Sequence, residues 1–238
     1  MRFLIGTLKS LTKFERSLWG VSVFAIAFSF VALNNTDYLT LCASLVGATA
    51  LIFVAKGNVI GQFLIVLFGV IYGIISFNFK YYGEMLTYLG MSTPVAIAAI
   101  VSWLKNPFQG NKADVEINTL QVTEYVFMFI LSCGVTTAFY FILRALGTAN
   151  LVVSTISVFT SFVPCYLLVR RSEFYAVGYA VNDIILIILW TMASFKSLNY
   201  LSMVICFIIF LINDIYGFIQ WSKNKKRQRT QSLSYAKQ

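Results

Sequence analysis

Long apolar runs alternate with short polar breaks along this chain, and the runs have the length of membrane crossings. A hydrocarbon core of about 30 Å needs roughly 17 to 25 helical residues. Eight such stretches can be marked, at 18–34, 38–55, 59–79, 84–104, 125–145, 149–169, 176–195 and 201–221. The longest polar interval, Asn106 to Thr123, carries Pro107, Gly110, Asp114 and Glu116 and divides the chain into two hydrophobic halves. Met1 to Arg16 is mixed polar and basic, with no short apolar core followed by a small-residue cleavage site, so the first run is expected to remain as an anchor. The pattern predicts an all-α integral membrane fold of eight transmembrane helices.

Composition agrees and narrows the chemistry. The 238 residues are 59% hydrophobic and 11% charged, far from the average soluble domain, which is about half apolar and a quarter charged. Histidine is absent, which disfavours haem, carboxylate-histidine zinc and Ser-His chemistry together. Cys42, Cys133, Cys165 and Cys206 stand singly in apolar runs, so neither a zinc site nor a redox pair is expected. No phosphate-binding G-x-x-x-x-G-K-[ST] loop occurs, and the spans contain no lysine to serve as a base for serine. No cofactor, metal or catalytic group is therefore expected.

The net charge of +9 is explained by topology rather than by nucleic acid. With the N-terminus inside, Lys80, Arg144 and Lys196 are the only ones of the 18 basic residues outside. This places both termini in the cytoplasm. The run Lys223 to Arg229 reads as a stop-transfer signal and an anchor on inner-leaflet lipids.

The two halves resemble each other. At an offset of 118 residues, Trp103-Leu-Lys-Asn106 pairs with Trp221-Ser-Lys-Asn224, Phe77 with Phe195, Tyr82 with Tyr200, Met85 with Met203, and Tyr72 falls opposite Trp190. Spans two to four and six to eight form the copies. One joining span leaves them parallel, an arrangement that puts a substrate near midplane between the copies. The organisation expected is an N-terminal segment and extra helix over 1–37, a first three-helix bundle over 38–105, a linker and connecting helix over 106–148, a second bundle over 149–222 and a basic tail over 223–238. Gly57, Gly61, Gly69 and Gly73 lie near one face of the third span and admit a close helix neighbour, within the chain or in a homo-oligomer. Pro94 and Pro164 can bend their helices.

Polar groups inside hydrocarbon point toward partners, cavities or ligands. Tyr175, Tyr179, Asn182 and Trp190 fall on or near one face of the seventh span, a set suited to a flat heteroaromatic or nucleoside-like ligand. Asp183 fits a cationic substrate, a coupling proton or a protonated carboxyl bonded to a neighbouring helix. Asn213-Asp214, with Tyr216 beyond, repeats the dipeptide in the eighth span. Asp214 is as well suited to a structural bond, or to Arg170 or Arg171, as to a substrate. Glu84 reads as a helix-terminal cap. A membrane scaffold or sensor, or an enzyme using Asp183 and Asp214 as an acid pair, are the competing readings.

Tyr82-Gly-Glu-Met-Leu-Thr-Tyr-Leu-Gly-Met91, the W-x-K ending of span four, Asn182-Asp-Ile-Ile-Leu-Ile-Ile-Leu-Trp190 and Asn213-Asp-Ile-Tyr-Gly-Phe-Ile-Gln-Trp221 resemble the PnuC nicotinamide riboside transporters over about residues 38 to 223. The resemblance implies a 3+1+3 SWEET-like core with one extra N-terminal helix. It also implies facilitated diffusion across a bacterial inner membrane, with intracellular phosphorylation by a separate kinase trapping the riboside. The family's ligand-contacting asparagine matches Asn182 and the aromatic seven residues earlier matches Tyr175. The chain departs from the W-x-x-W-x-x-x-N pattern at Tyr175 and Gly178, and has Leu89 or a neighbour where a glutamine is often found. Relatives of the same shape carry thiamine, riboflavin or deoxynucleosides, so these are the alternative substrates. Asn213 and Tyr216 complete the candidate substrate-binding set.

Overall fold

A computed structural model of the chain describes residues 11–33, 36–148 and 150–235. Arg2, Lys9 and Lys237 of the basic set, and the expected span ends at 34 and 149, lie outside the described residues. Among the described residues, eight helices are long and apolar enough to cross a membrane. They are α1 (Lys13–Ala32), α2 (Tyr38–Ala55), α3 (Ile60–Asn78), α4 (Tyr82–Lys105), α5 (Val122–Ala145), α6 (Leu151–Val169), α7 (Tyr175–Ser194) and α8 (Leu201–Tyr235). Helices α2–α4 and α6–α8 enclose the core. Helix α1 packs on α2 and α8, and α5 on α6.

Local chemistry sets the ends. Thr12 and Glu15 form a capping box at the start of α1, while Asp37 accepts from the Leu39 and Thr40 amides to start α2. The turn from α2 to α3 passes through Gly57 at φ +78°, a left-handed conformation that costs glycine nothing. Asn58 Oδ1 then accepts from the Ile60 amide at 3.0 Å. Asn58→Ala is expected to lower stability by about 1 kcal/mol, read as a drop in the apparent melting temperature of the detergent-purified protein.

The structure corrects several expectations. Helix α1 starts five residues before the expected 18, because the Thr12–Glu15 cap carries the helix into its polar turn. Helix α8 runs to Tyr235, well past the end of the apolar run at 221, since Lys, Arg and Gln sustain a helix as well as apolar residues do. The linker holds an antiparallel hairpin of β1 (Pro107–Phe108) and β2 (Asn111–Val115), a small exception to an all-α chain. The extension of α8 packs on this hairpin: Gln228 Nε2 donates to the Val115 carbonyl at 2.9 Å, and Arg227 pairs with Asp114. The tail is thus part of the fold as well as a charged segment. Gly57 sits in the turn, Gly61 faces α2, and Gly69 and Gly73 face α4, so the glycines serve two neighbours instead of one.

Most basic side chains named above lie at one end of the bundle, called here the basic end. It includes the α2–α3 and α6–α7 turns and the linker. Arg170 pairs with Glu124, and Lys225 Nζ lies 2.6 Å from Glu173. Helix α1 is fastened at this end by its own buried acid: Glu15, 1% exposed, is 3.6 Å from Lys56 Nζ and accepts from the Tyr216 hydroxyl at 3.2 Å. Its other face exposes Val21, Phe24, Phe28 and Val31, the apolar surface a lipid-facing helix presents.

Candidate functional site

The site begins with a defect in α4. Pro94 has no N–H to give the carbonyl of Gly90, and just before it the helix widens into a π turn over Tyr88–Ser92, with the Thr93 amide reaching back to the Tyr88 carbonyl. That turn brings Tyr88, Ser92 and Thr93 to the wall of a central cavity. On the facing helix Gly69 permits the approach, since a Cβ there would stand 2.3 Å from Thr93 Oγ1.

All six core helices line the cavity and neither α1 nor α5 does. Its volume is about 50 Å³, against ~300–1,000 Å³ for pockets that enclose drug-sized ligands. A two-ring ligand therefore requires the walls to separate. Tyr175, Tyr179, Asn182 and Asp183 line one side. Asn182 is fixed: its Oδ1 accepts from the hydroxyls of Thr160 and Ser161, both at 2.9 Å, which leaves Nδ2 as the donating half of the amide. The Tyr175 and Tyr179 rings meet edge to face at 6.2 Å, and the Tyr179 hydroxyl lies 3.3 Å from Cys165 Sγ. Asp183 and Asp214 both line the cavity and interact directly with each other. Two ionised carboxylates offer only acceptors, so a hydrogen bond between them requires one shared proton.

Aromatic layers close both ends. At the basic end, Trp221 Nε1 donates to the Val54 carbonyl at 2.9 Å and Trp103 Nε1 to the Leu168 carbonyl at 3.2 Å. The two bonds are reciprocal, because each tryptophan of a W-x-K-N ending reaches the helix end of the opposite half. Tyr175 meets Trp221 edge to face at 4.8 Å. At the far end Trp190 Nε1 donates to the Tyr72 hydroxyl at 2.8 Å, and Tyr81 covers Trp190 at 5.0 Å. Two of the pairs aligned by the offset of 118, Trp103 with Trp221 and Tyr72 with Trp190, are thus in contact.

Three of the seven candidate residues lie away from the cavity. Trp190 shares a face with Asn182 but stands eight residues further along, about 12 Å at 1.5 Å per residue, and belongs to the far aromatic layer. Asn213 donates to Ser22 of α1 at 3.2 Å, and Tyr216 bonds Glu15 of α1. Successive helix positions turn by about 100°, so when Asp214 faces the cavity Asn213 and Tyr216 face α1. Asp214 faces the cavity beside Asp183, and Arg170 takes Glu124 instead. Glu84 makes no helix cap: it is fully buried, and its Oε1 accepts from Ser157 of α6 at 2.6 Å.

Sequence reasoning missed Tyr88, Ser92 and Thr93, whose placement comes from the π turn, and Ser161, which reaches the cavity beside Asn182. Gln62 was also missed. It is fully buried with neither amide atom bonded, on the face of α3 that carries Ile65 and Gly69. A lone amide three residues before a cavity position was the available signal.

The family model of the nicotinamide mononucleotide transporter matches residues 37–223. This chain belongs to that family. Among its relatives, the nicotinamide riboside transporter PnuC of Neisseria mucosa is 29% identical, covering 95% of this chain and 91% of the relative. The protein of the same name from Haemophilus influenzae is 22% identical, covering 87% and 89%. The crystal structure of the vitamin B3 transporter PnuC superposes with a TM-score of 0.79 at 27% identity, covering 92% of this chain and 94% of the other. Membership in the nicotinamide mononucleotide transporter family makes the chain a multi-pass membrane transporter with a small-molecule substrate. It removes the scaffold and enzyme readings, although Asp183 and Asp214 do meet as the acid-pair reading required.

Proposed function

We propose that the chain takes up nicotinamide riboside, the compound named for both relatives, by facilitated diffusion through the central cavity. The observation that carries the reading is the cavity itself, walled by both three-helix sets and closed at each end by an aromatic layer. Bundles over 38–105 and 149–222 would rock about it, opening the Trp103–Trp221 and Tyr72–Trp190 layers in turn. Asn182 orients the nicotinamide or ribose, while Tyr175 and Tyr179 wall the rings. The basic end faces the cytoplasm of a bacterial inner membrane, where phosphorylation by a separate kinase traps the riboside.

The cavity favours the riboside over the mononucleotide in the family's name. No lysine or arginine is among its lining residues, while two aspartates are, so a phosphate would meet negative charge without a counter-ion. Calorimetry on the detergent-purified protein should give tight binding of the riboside and none of the mononucleotide, with thiamine, riboflavin and deoxynucleosides as competitors. Asn182→Ala is expected to weaken riboside binding about tenfold, the loss of one buried hydrogen bond. An unchanged affinity would refute the assignment of Asn182. If a competitor outbinds the riboside, the substrate assignment fails.

A further inference from the structure

Asp183 is 3% exposed and Asp214 is 4% exposed, and both line the cavity. Asp183 Oδ2 is buried and meets no hydrogen-bond donor. An unbonded carboxylate oxygen away from water is costly to keep unless a ligand completes it. The remaining polar side chains of the wall, the Asn182 amide and the hydroxyls of Ser92, Thr93, Ser161 and three tyrosines (Tyr88, Tyr175 and Tyr179), are neutral.

A cation entering so dry a space loses its hydration and needs a fixed counter-charge in return. A carboxyl and a carboxylate sharing one proton supply a single negative charge. We infer that the Asp183–Asp214 pair is the counter-charge of a monocationic ligand, with Asp183 Oδ2 facing the ligand's positive ring. This rests on the riboside reading and deepens it. Nicotinamide riboside carries its charge on the pyridinium nitrogen, and its dihydro form has nearly the same shape with no charge. The site would therefore select the oxidised, cationic ring over the reduced, neutral one.

The shared proton shapes the test. In Asp183→Asn the new amide can donate to an ionised Asp214, so the single charge survives one step further from the ligand. Asp183→Asn with Asp214→Asn keeps the hydrogen bond and the volume but removes the charge. Calorimetric titration of the full chain in detergent, with nicotinamide riboside and dihydronicotinamide riboside side by side, reads the preference directly. The wild type is expected to favour the cation by about 30-fold or more, the scale of a buried charge left unpaired. The single variant should retain part of that ratio. In the double variant the ratio should fall to near one, while binding of the neutral form persists and reports that the protein is folded. Equal binding of both forms by the wild type, or a preserved ratio in the double variant, overturns the inference and leaves the riboside reading standing. Binding of neither form by the wild type defeats the riboside reading and the inference with it.

Discussion

Trp190→Ala is expected to destabilise the protein by about 3–5 kcal/mol, the range for removing a large aromatic side chain from a packed core. Trp190 has no exposed surface and touches the rings of Tyr72, Phe79, Tyr81 and Tyr200, all within 6.2 Å between centroids. Truncation leaves a void across the far aromatic layer, which rigid helices cannot close. Trp190→Phe keeps most of the ring and loses the 2.8 Å bond to Tyr72, a change of about 1 kcal/mol. Size-exclusion profiles after heating should order wild type, Phe and Ala in that sequence, with riboside affinity in the Phe variant within about twofold of wild type. Should the Phe variant melt like the wild type but bind about tenfold more weakly, Trp190 would be a ligand contact instead of part of the seal.

The fold was legible because its signals are collective. Eight apolar runs of the right length leave helices as the way to satisfy the backbone in lipid, and a misjudged end moves a boundary by a few residues without changing the architecture. The reciprocal bonds of Trp103 and Trp221 give the W-x-K-N pairing a physical meaning: each indole N–H satisfies a carbonyl at the end of a helix in the other half. The alignment of Tyr72 with Trp190 likewise has a contact behind it. What hydropathy missed are features made by polar packing, such as the hairpin under the α8 extension and the buried Glu15 that fastens α1.

The site was less legible because a helical face carries no depth. Periodicity grouped Trp190 with Tyr175, Tyr179 and Asn182, yet only the last three reach the cavity. The dipeptide Asn-Asp occurs twice, and the same two letters serve differently: in α7 both residues line the cavity, whereas in α8 only Asp214 does and Asn213 holds α1. Which of two adjacent residues faces inward depends on the rotation of the helix, and that is set by neighbours distant in sequence. The π turn is a further instance, since Pro94 signalled a break in α4 without saying that three residues would be redirected inward.

Gly178→Trp, which would complete the second aromatic of a W-x-x-W-x-x-x-N spacing, is expected to damage this protein instead of improving it. Gly178 packs on Pro164 of α6, where a Cβ would lie 2.9 Å from the proline Cβ and 3.2 Å from its Cα. The contacted atoms belong to a ring and a backbone, so no rotamer relieves the clash, and overpacking of this kind costs ~1–3 kcal/mol or more. The chain supplies the missing aromatic one residue later: Tyr179 lines the cavity one turn after Tyr175. Gly178→Ala should cost less than Gly178→Trp, and Tyr179→Trp should leave the melting temperature nearly unchanged while shifting riboside affinity. Purified yield, melting temperature and calorimetric affinity for the three variants test this together. If Gly178→Trp were as stable as the wild type and bound the riboside more tightly, α6 and α7 would have to separate at Pro164, and position 178 would belong to the ligand.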